Sequence, residues 1–301
     1  MRHFTNEPLI DIVRFVKRSL EAQHSIHLSV PNPNLGEGLF SGEALPQNLA
    51  HRPWRVWFDL AEKLECHLSI FEITPESATL EFSNLGPKPS IKEAIDKREK
   101  YGTSSDYSRI DKLEESSFLL NYLEALERIN LNEGARVLSL GVNTGNELRA
   151  FDYLESGVGS SLQFVGIDHS KSAVGKAKQD FGNRGEFIEA DINNLASLGL
   201  GQFDLVMALG TLQSPGIDDR TTLRYIVQTL VKKSGSLLLA FPNSTYKDSE
   251  LVYGARMKNF RQAELSLLVK DAAYYRKYLQ QHNFKVFVTG KYYLFITAIP
   301  S

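Results

Sequence analysis

The stretch Val137-Leu138-Ser139-Leu140-Gly141-Val142-Asn143-Thr144-Gly145-Asn146-Glu147 decides the fold. An apolar run ends in a glycine loop, and helix-forming sequence comes next. This is a strand feeding a tight turn that opens a helix, and such turns bind nucleotide-like ligands. Gly141 lets the backbone turn sharply and lets a ligand approach without meeting a Cβ. Gly145 does the same where the helix begins. Between them Asn143 is among the few non-glycine residues that tolerate a positive φ.

The loop gains weight from three apolar runs downstream. Phe164 to Asp168, Phe187 to Asp191 and Phe203 to Met207 read as the next three strands of one parallel sheet. The first two end in a carboxylate. Asp168 stands about 20 residues past the loop, where an acid accepts hydrogen bonds from ribose hydroxyls. Asp191 stands where a carboxylate accepts from an adenine amino group. These positions share the carboxyl edge of the sheet, the ligand-binding edge of open α/β sheets. A dinucleotide site wants Gly-x-Gly-x-x-Gly, but the window beginning at Gly141 has asparagine at its second and third glycine positions, Asn143 and Asn146. The plainer alternative is that both aspartates only cap helices.

The C-terminal part adds independent support. Ser236 to Phe241 reads as a fifth strand, and Lys232-Lys233-Ser234-Gly235 before it as a helix end with a glycine stop. Two β-rich runs, Phe284 to Thr289 and Tyr292 to Ala298, flank Gly290-Lys291 and predict a hairpin.

This order of motifs resembles the class I S-adenosylmethionine-dependent methyltransferases over roughly residues 107–300. The family motif is apolar-apolar-acid-apolar-Gly-x-Gly-x-Gly. Val137 to Gly145 departs from it twice, with Ser139 for the acid and Asn143 for the middle glycine. The resemblance implies a Rossmann-like α/β fold: a mostly parallel seven-stranded sheet with a terminal antiparallel hairpin. It implies S-adenosyl-L-methionine as cofactor, with Gly141, Val142, Asn143 and Gly145 around it. Asp168 would lie at the ribose, neighbouring His169 would border the ribose or the adenine, and Asp191 or the Ile192 backbone would lie at the adenine. The loop from Ala208 through Leu209 to Gln213 would lie near the methionine and the substrate. In many relatives the segment before the first strand folds over the cofactor. Arg109 is then a candidate clamp for the methionine carboxylate and Tyr107 a candidate cover; the alternative for Arg109 is a local surface salt bridge.

Composition bounds the rest. A chain of 301 residues can bury a large core and hold a second, smaller domain. The net charge of −2 gives no overall attraction to nucleic acid. Cys66 is the only cysteine, which excludes an intramolecular disulfide, and Cys66-His67 has no second pair at metal spacing. No metal is expected. The start lacks an apolar signal core and no run approaches membrane-spanning length, so a cytoplasmic protein is expected.

Residues 1–104 read as a small α+β domain that shapes the substrate side, and residues 105–301 as the cofactor-binding domain, with a hinge near 101–105. Pro8 and Pro53 open helices. His67 to Ile73 and Ala78 to Phe82 flank a predicted hairpin. Ser90 and Glu93 have capping-box spacing at the head of a third helix. Trp54 and Trp57, beside Arg52 and Arg55, form either an RNA-stacking patch or, sharing one helical face, plain core.

From Asn243 to Ser301 there are nine Lys/Arg against four Asp/Glu, and seven of the twelve tyrosines. The first part of this span, including Arg256 and Lys258, reads as a basic, tyrosine-rich lid, which suits an anionic aromatic substrate or a nucleic acid. No Asn-Pro-Pro-Tyr motif occurs after the fourth strand. Gln213 stands where many small-molecule relatives place histidine, so no base is identified, and Gln213, Tyr246 and His169 are candidates only. The expected function is methyl transfer to a small anionic or aromatic metabolite. An RNA methyltransferase and a cofactor binder without methyl transfer are the alternatives.

Overall fold

The computed structural model describes residues 1–86, 99, 102–254 and 265–301. The expected helix headed by Ser90 and the lid residues Arg256 and Lys258 lie outside these. The chain divides into two compact units, Met1–Pro89 with Tyr246–Val252, and Ser90–Thr245 with Tyr253–Ser301.

The first unit runs β1 (Arg2–His3), α1 (Leu9–Ala22), β2 (Ser25–Pro31), the short pair β3 (Ala44–Leu45) and β4 (Leu49–Ala50), α2 (Trp54–Leu64), β5 (Cys66–Ile73) and β6 (Ser77–Asn84). Its main sheet has the order β1-β2-β6-β5. Pro8 and Pro53 each stand just before a helix, as their fixed φ favours. Ile12, Val16 and Leu20 of α1 and Trp57, Leu60 and Ala61 of α2 pack with Leu28, Leu80 and Phe82 of the sheet. Trp57 is wholly buried, with its Nε1 donating to Arg52 O at 3.2 Å. Trp54 packs against the same core while donating to Asn34 Oδ1. Arg52 is buried and donates to Glu7 O, and Arg55 pairs with Asp59. The tryptophans therefore serve the core.

The second unit runs through α3 (Ser116–Ile129), β7 (Arg136–Leu140), β8 (Gln163–Asp168), α4 (Lys171–Phe181), β9 (Gly185–Glu189), β10 (Phe203–Leu209), α5 (Asp219–Tyr225) and β11 (Val231–Pro242). The hairpin of β12 (Ser244–Lys247) and β13 (Glu250–Tyr253), most of which belongs to the first unit, comes next in the chain, and the second unit resumes with α6 (Ser266–Gln281), β14 (Phe284–Gly290) and β15 (Tyr293–Pro300). Seven strands form one sheet, β14-β15-β11-β10-β7-β8-β9. All neighbours are parallel except those of β15, which runs against both β11 and β14. The expected sheet and its terminal hairpin are present.

Alternation along each strand feeds two cores. Val137, Met207, Leu238, Ala240 and Phe295 face α3 and α4. Leu138, Leu140, Val206, Leu237, Leu239 and Ile296 face α5 and α6. Burial on both faces explains the near-continuous apolar runs.

The helix expected after the glycine loop is present as a 3₁₀ helix, Asn146–Tyr153, capped by Gly145. Two expectations need correction. Lys232 to Gly235 is no helix end. The helix widens into a π turn at Ile226–Leu230 and stops there, and these residues belong to β11. They bulge where the register jumps from Phe203↔Val231 to Leu205↔Ser236. Lys232 reaches Asp204 Oδ2 at 2.8 Å, and a Cβ on Gly235 would stand 2.8 Å from Phe203 O. The glycine serves close strand approach rather than a helix stop. Finally, β9 ends at Glu189, so Asp191 lies past the strand.

The first unit is completed by the hairpin turn. Asp248 and Ser249 both have positive φ, 45° and 64°, the conformation of a tight two-residue turn. His67 Nδ1 lies 2.9 Å from Glu250 Oε1 and Nε2 lies 3.2 Å from Asp248 Oδ2. Gly86 N also donates to Asp248 Oδ2, and Lys247 pairs with Glu65. Burial alone would lower the His67 pKa, but bonding to Asp248 and Glu250 outweighs it and raises the value. A raised folded pKa gives stability that is complete below the unfolded value, about 6.5, and lost as pH climbs through the folded one. Protection of the amides around Asp248 in hydrogen exchange should therefore fall as pH rises from about 6 toward 8. In His67→Ala that pH dependence should be absent.

Candidate functional site

Chain order reverses between β7 and β10, and the carboxyl ends of these two strands meet there. Open α/β sheets bind ligands at such a switch point. The glycine loop is built into it. Gly141 N and Val142 N donate to Ile167 O at 2.8 and 3.0 Å, and Gly145 N donates to Val142 O. Gly141, Asn143 and Gly145 all have positive φ, at 69°, 50° and 82°. A Cβ on Gly141 would stand 2.4 Å from Thr211 Oγ1, and that hydroxyl donates to Leu140 O at 2.9 Å. The loops after β7 and β10 are thus in direct contact.

Asp168 ends β8 and is 5 % exposed. Its Oδ2 accepts from Asn143 N and its Oδ1 from Ser170 N, both at 2.9 Å. Each carboxylate oxygen has two acceptor sites, so capacity is left for a diol. His169 is half-exposed, with Nδ1 3.7 Å from Asp168 Oδ1. Asp191 is exposed and caps the turn beginning at Ile192, accepting from Asn193 N at 2.8 Å. For Asp191 the capping alternative therefore holds, whatever else it binds.

Leu209 is buried at the end of β10. Gly210 comes next with φ 72°, and its N donates to Ala240 O. A Cβ there would lie 3.7 Å from Tyr293 Cε1 and 3.8 Å from Gln213 Nε2. Gln213 Nε2 donates to Gly210 O at 2.7 Å. Arg109 is exposed and makes no ion pair among the described residues; Asp111 instead caps the next turn by accepting from Leu113 N. Tyr246 belongs to the first compact unit, whereas the other candidates belong to the second.

Sequence reasoning missed a charged group beside this loop. Lys112 Nζ pairs with Glu147 Oε1 at 3.0 Å and lies 5.4 Å from the Tyr293 ring centroid. Burial opposes the Lys112 charge, but Tyr293 and Glu147 outweigh it and raise the pKa. Burial raises that of Tyr293, against Lys112. Glu147 was readable as the first acid after the loop, but its partner 35 residues earlier was not.

Residues 131–286, more than half of the chain, match the family described as a methyltransferase domain. The chain belongs to that family. Solved structures similar to this methyltransferase include an S-adenosylmethionine-dependent methyltransferase from Aquifex aeolicus, 19 % identical, covering 65 % of this chain and 99 % of that one at a TM-score of 0.46. An O-methyltransferase family protein from Burkholderia thailandensis is 18 % identical, covering 67 % and 64 % at 0.42. No curated protein matches the chain.

The methyltransferase uses S-adenosylmethionine, and the site's own features fit it. Gly141 and Gly210 keep side-chain atoms off the meeting strand ends, and the buried Asp168 carboxylate keeps spare acceptor capacity. When bound, the cofactor supplies an activated methyl group on a sulfonium. The protein's task is alignment and exclusion of water. Among the described residues no helix is long and apolar enough to cross a membrane.

Two consequences are measurable. Asp168→Ala should weaken S-adenosylmethionine binding by about 1–3 kcal/mol, the cost of unpaired polar partners, in titration calorimetry. Gly141→Val should abolish that binding while the melting transition remains cooperative, because its side chain meets Thr211 in a conformation that disfavours valine.

Proposed function

We propose that this methyltransferase methylates a small aromatic or anionic metabolite. On this reading Gly141, Val142, Asn143, Gly145, Asp168 and His169 hold the cofactor's loop-facing and ribose parts. Asp191 and Ile192 flank the adenine, and Leu209 and Arg109 the methionine end. Residues 1–104 shape the substrate side, and residues 105–301 carry the cofactor. The setting is the cytoplasm.

One observation carries the choice of metabolite over RNA. In the tryptophan–arginine cluster Trp57 and Arg52 are buried in the first unit, and the exposed Arg55 is paired with Asp59. With a net charge of −2, that cluster offers phosphate little attraction. Alignment then does most of the catalytic work, because the leaving group is already activated.

The discriminating measurement is binding of bulk tRNA by electrophoretic shift at two salt concentrations, beside calorimetry with S-adenosylmethionine. The metabolite reading expects micromolar or tighter cofactor binding and only weak tRNA binding that vanishes at the higher salt. Tight tRNA binding that survives would overturn the substrate class and leave the cofactor reading intact.

A further inference from the structure

One ion pair at the carboxyl edge of the sheet stands apart from the ribose and adenine positions. Lys112 Nζ meets Glu147 Oε1 at 3.0 Å, and the two side chains are 21 % and 22 % exposed. Neither charge is therefore sealed off from a ligand. The walls beside it are aromatic. The Lys112 ammonium lies 5.8 Å from the Phe118 ring centroid and 5.4 Å from that of Tyr293. Charges act more strongly in such surroundings than in open water.

Three neighbours fix its place. Glu147 follows closely on Gly145, which caps the 3₁₀ helix after the glycine loop. Lys112 opens the short turn that leads into α3. The Tyr293 ring approaches Gly210, with Cε1 3.7 Å from where a Cβ of that glycine would stand. The pair thus borders the loop after β7 and, across Tyr293, the loop after β10. Asp168 ends β8, on the other side of β7. The strand β7 itself brings no charge to this edge: Ser139, at the acid position of the glycine motif, is neutral and buried.

We propose that Lys112 and Glu147 hold the amino-acid end of S-adenosylmethionine, with its carboxylate on Lys112 and its α-ammonium on Glu147. This rests on the cofactor reading of the same site. The cofactor has a diol in its middle and a zwitterion at one end. Asp168 suits the diol. A lone cation would serve half of the zwitterion and leave the ammonium to lose its water unpaired, which is costly. An ion pair serves both halves. The carboxylate and ammonium of an α-amino acid are joined through a single carbon, and the charges of Lys112 and Glu147 are likewise in contact. Each group then has a neighbour of opposite sign, and no net charge is buried. Capacity remains for this: an ammonium has three N–H groups and a carboxylate oxygen two acceptor sites, and the bond between the side chains uses one of each. Arg109 is exposed, whereas Lys112 is already held in place by Glu147, so less ordering is left to be done on binding.

The test compares two probes on the full-length protein by titration calorimetry. S-adenosylhomocysteine carries adenosine, sulfur and the amino-acid end; 5′-methylthioadenosine keeps the first two and lacks the last. The unaltered protein should bind S-adenosylhomocysteine about tenfold or more tighter. Lys112→Met and Glu147→Gln should each weaken S-adenosylhomocysteine by about tenfold to hundredfold, the loss of a charge-assisted bond, and leave 5′-methylthioadenosine unchanged. Unchanged binding of that second probe also reports that each variant is folded. Lys112→Arg, which keeps the cation, should keep most of the preference. Equal affinity of the unaltered protein for both probes, or an undiminished preference in Lys112→Met or Glu147→Gln, would overturn the proposal. Equal losses on both probes would overturn it too, by reducing the pair to a strut of the fold. If neither probe binds the unaltered protein, the cofactor assignment beneath the proposal fails instead.

Discussion

The site depends on the Asp168 carboxylate. One oxygen accepts from Asn143 in the glycine loop, and the other accepts from Ser170 at the head of α4. A single buried side chain therefore ties the loop after β7 to the strand and helix beside it. Charge-assisted bonds of this kind are stronger than neutral ones. Within the loop Gly141, Asn143 and Gly145 have positive φ, which glycine takes freely, so Asn143 is the residue whose conformation needs outside support. From the opposite side Thr211 bonds Leu140 O and packs where a Gly141 Cβ would be. The loop is thus held from both neighbouring strands, and a ligand meets a backbone shape already formed.

Much of this was legible in the sequence because parallel strands are recorded twice. Their burial on both faces writes continuous apolar runs, and their carboxyl ends write Gly141 and Asp168 at fixed offsets. The terminal hairpin was legible because Gly290, with φ 105°, leaves no room for a side chain beside Tyr293 O. The features that escaped share a physical cause. The Lys232 to Gly235 bulge is set by the carbonyls of Phe203 and Asp204, which are distant in sequence. The Lys112–Glu147 pair crosses from one element to another, and no periodicity announces it. In Asn146–Tyr153, Leu148 and Phe151 are buried in one core with α3, a contact between distant segments that the local composition does not announce.

Asp191 illustrates a different limit. Its composition signal is that of a strand-end acid, and the same signal is written by an N-cap. The structure uses the side chain as a cap on Asn193 N. Sequence offers no means of separating the two, because both need a short carboxylate at the point where a strand gives way to a turn.

The hairpin from Ser244 to Tyr253 has a consequence for biosynthesis. Residues Tyr246–Val252 complete the compact unit that begins at Met1, yet most of the cofactor-binding sheet lies between them in the chain. The hydrophobic core of the first unit lies wholly within Phe4 to Phe82, but His67 and Glu65 remain without their hairpin partners until β7 to β11 have been made. Vectorial synthesis thus completes the smaller unit only after five strands of the larger sheet have been made, and the helix α6 and the strands β14 and β15 of the larger unit follow later still.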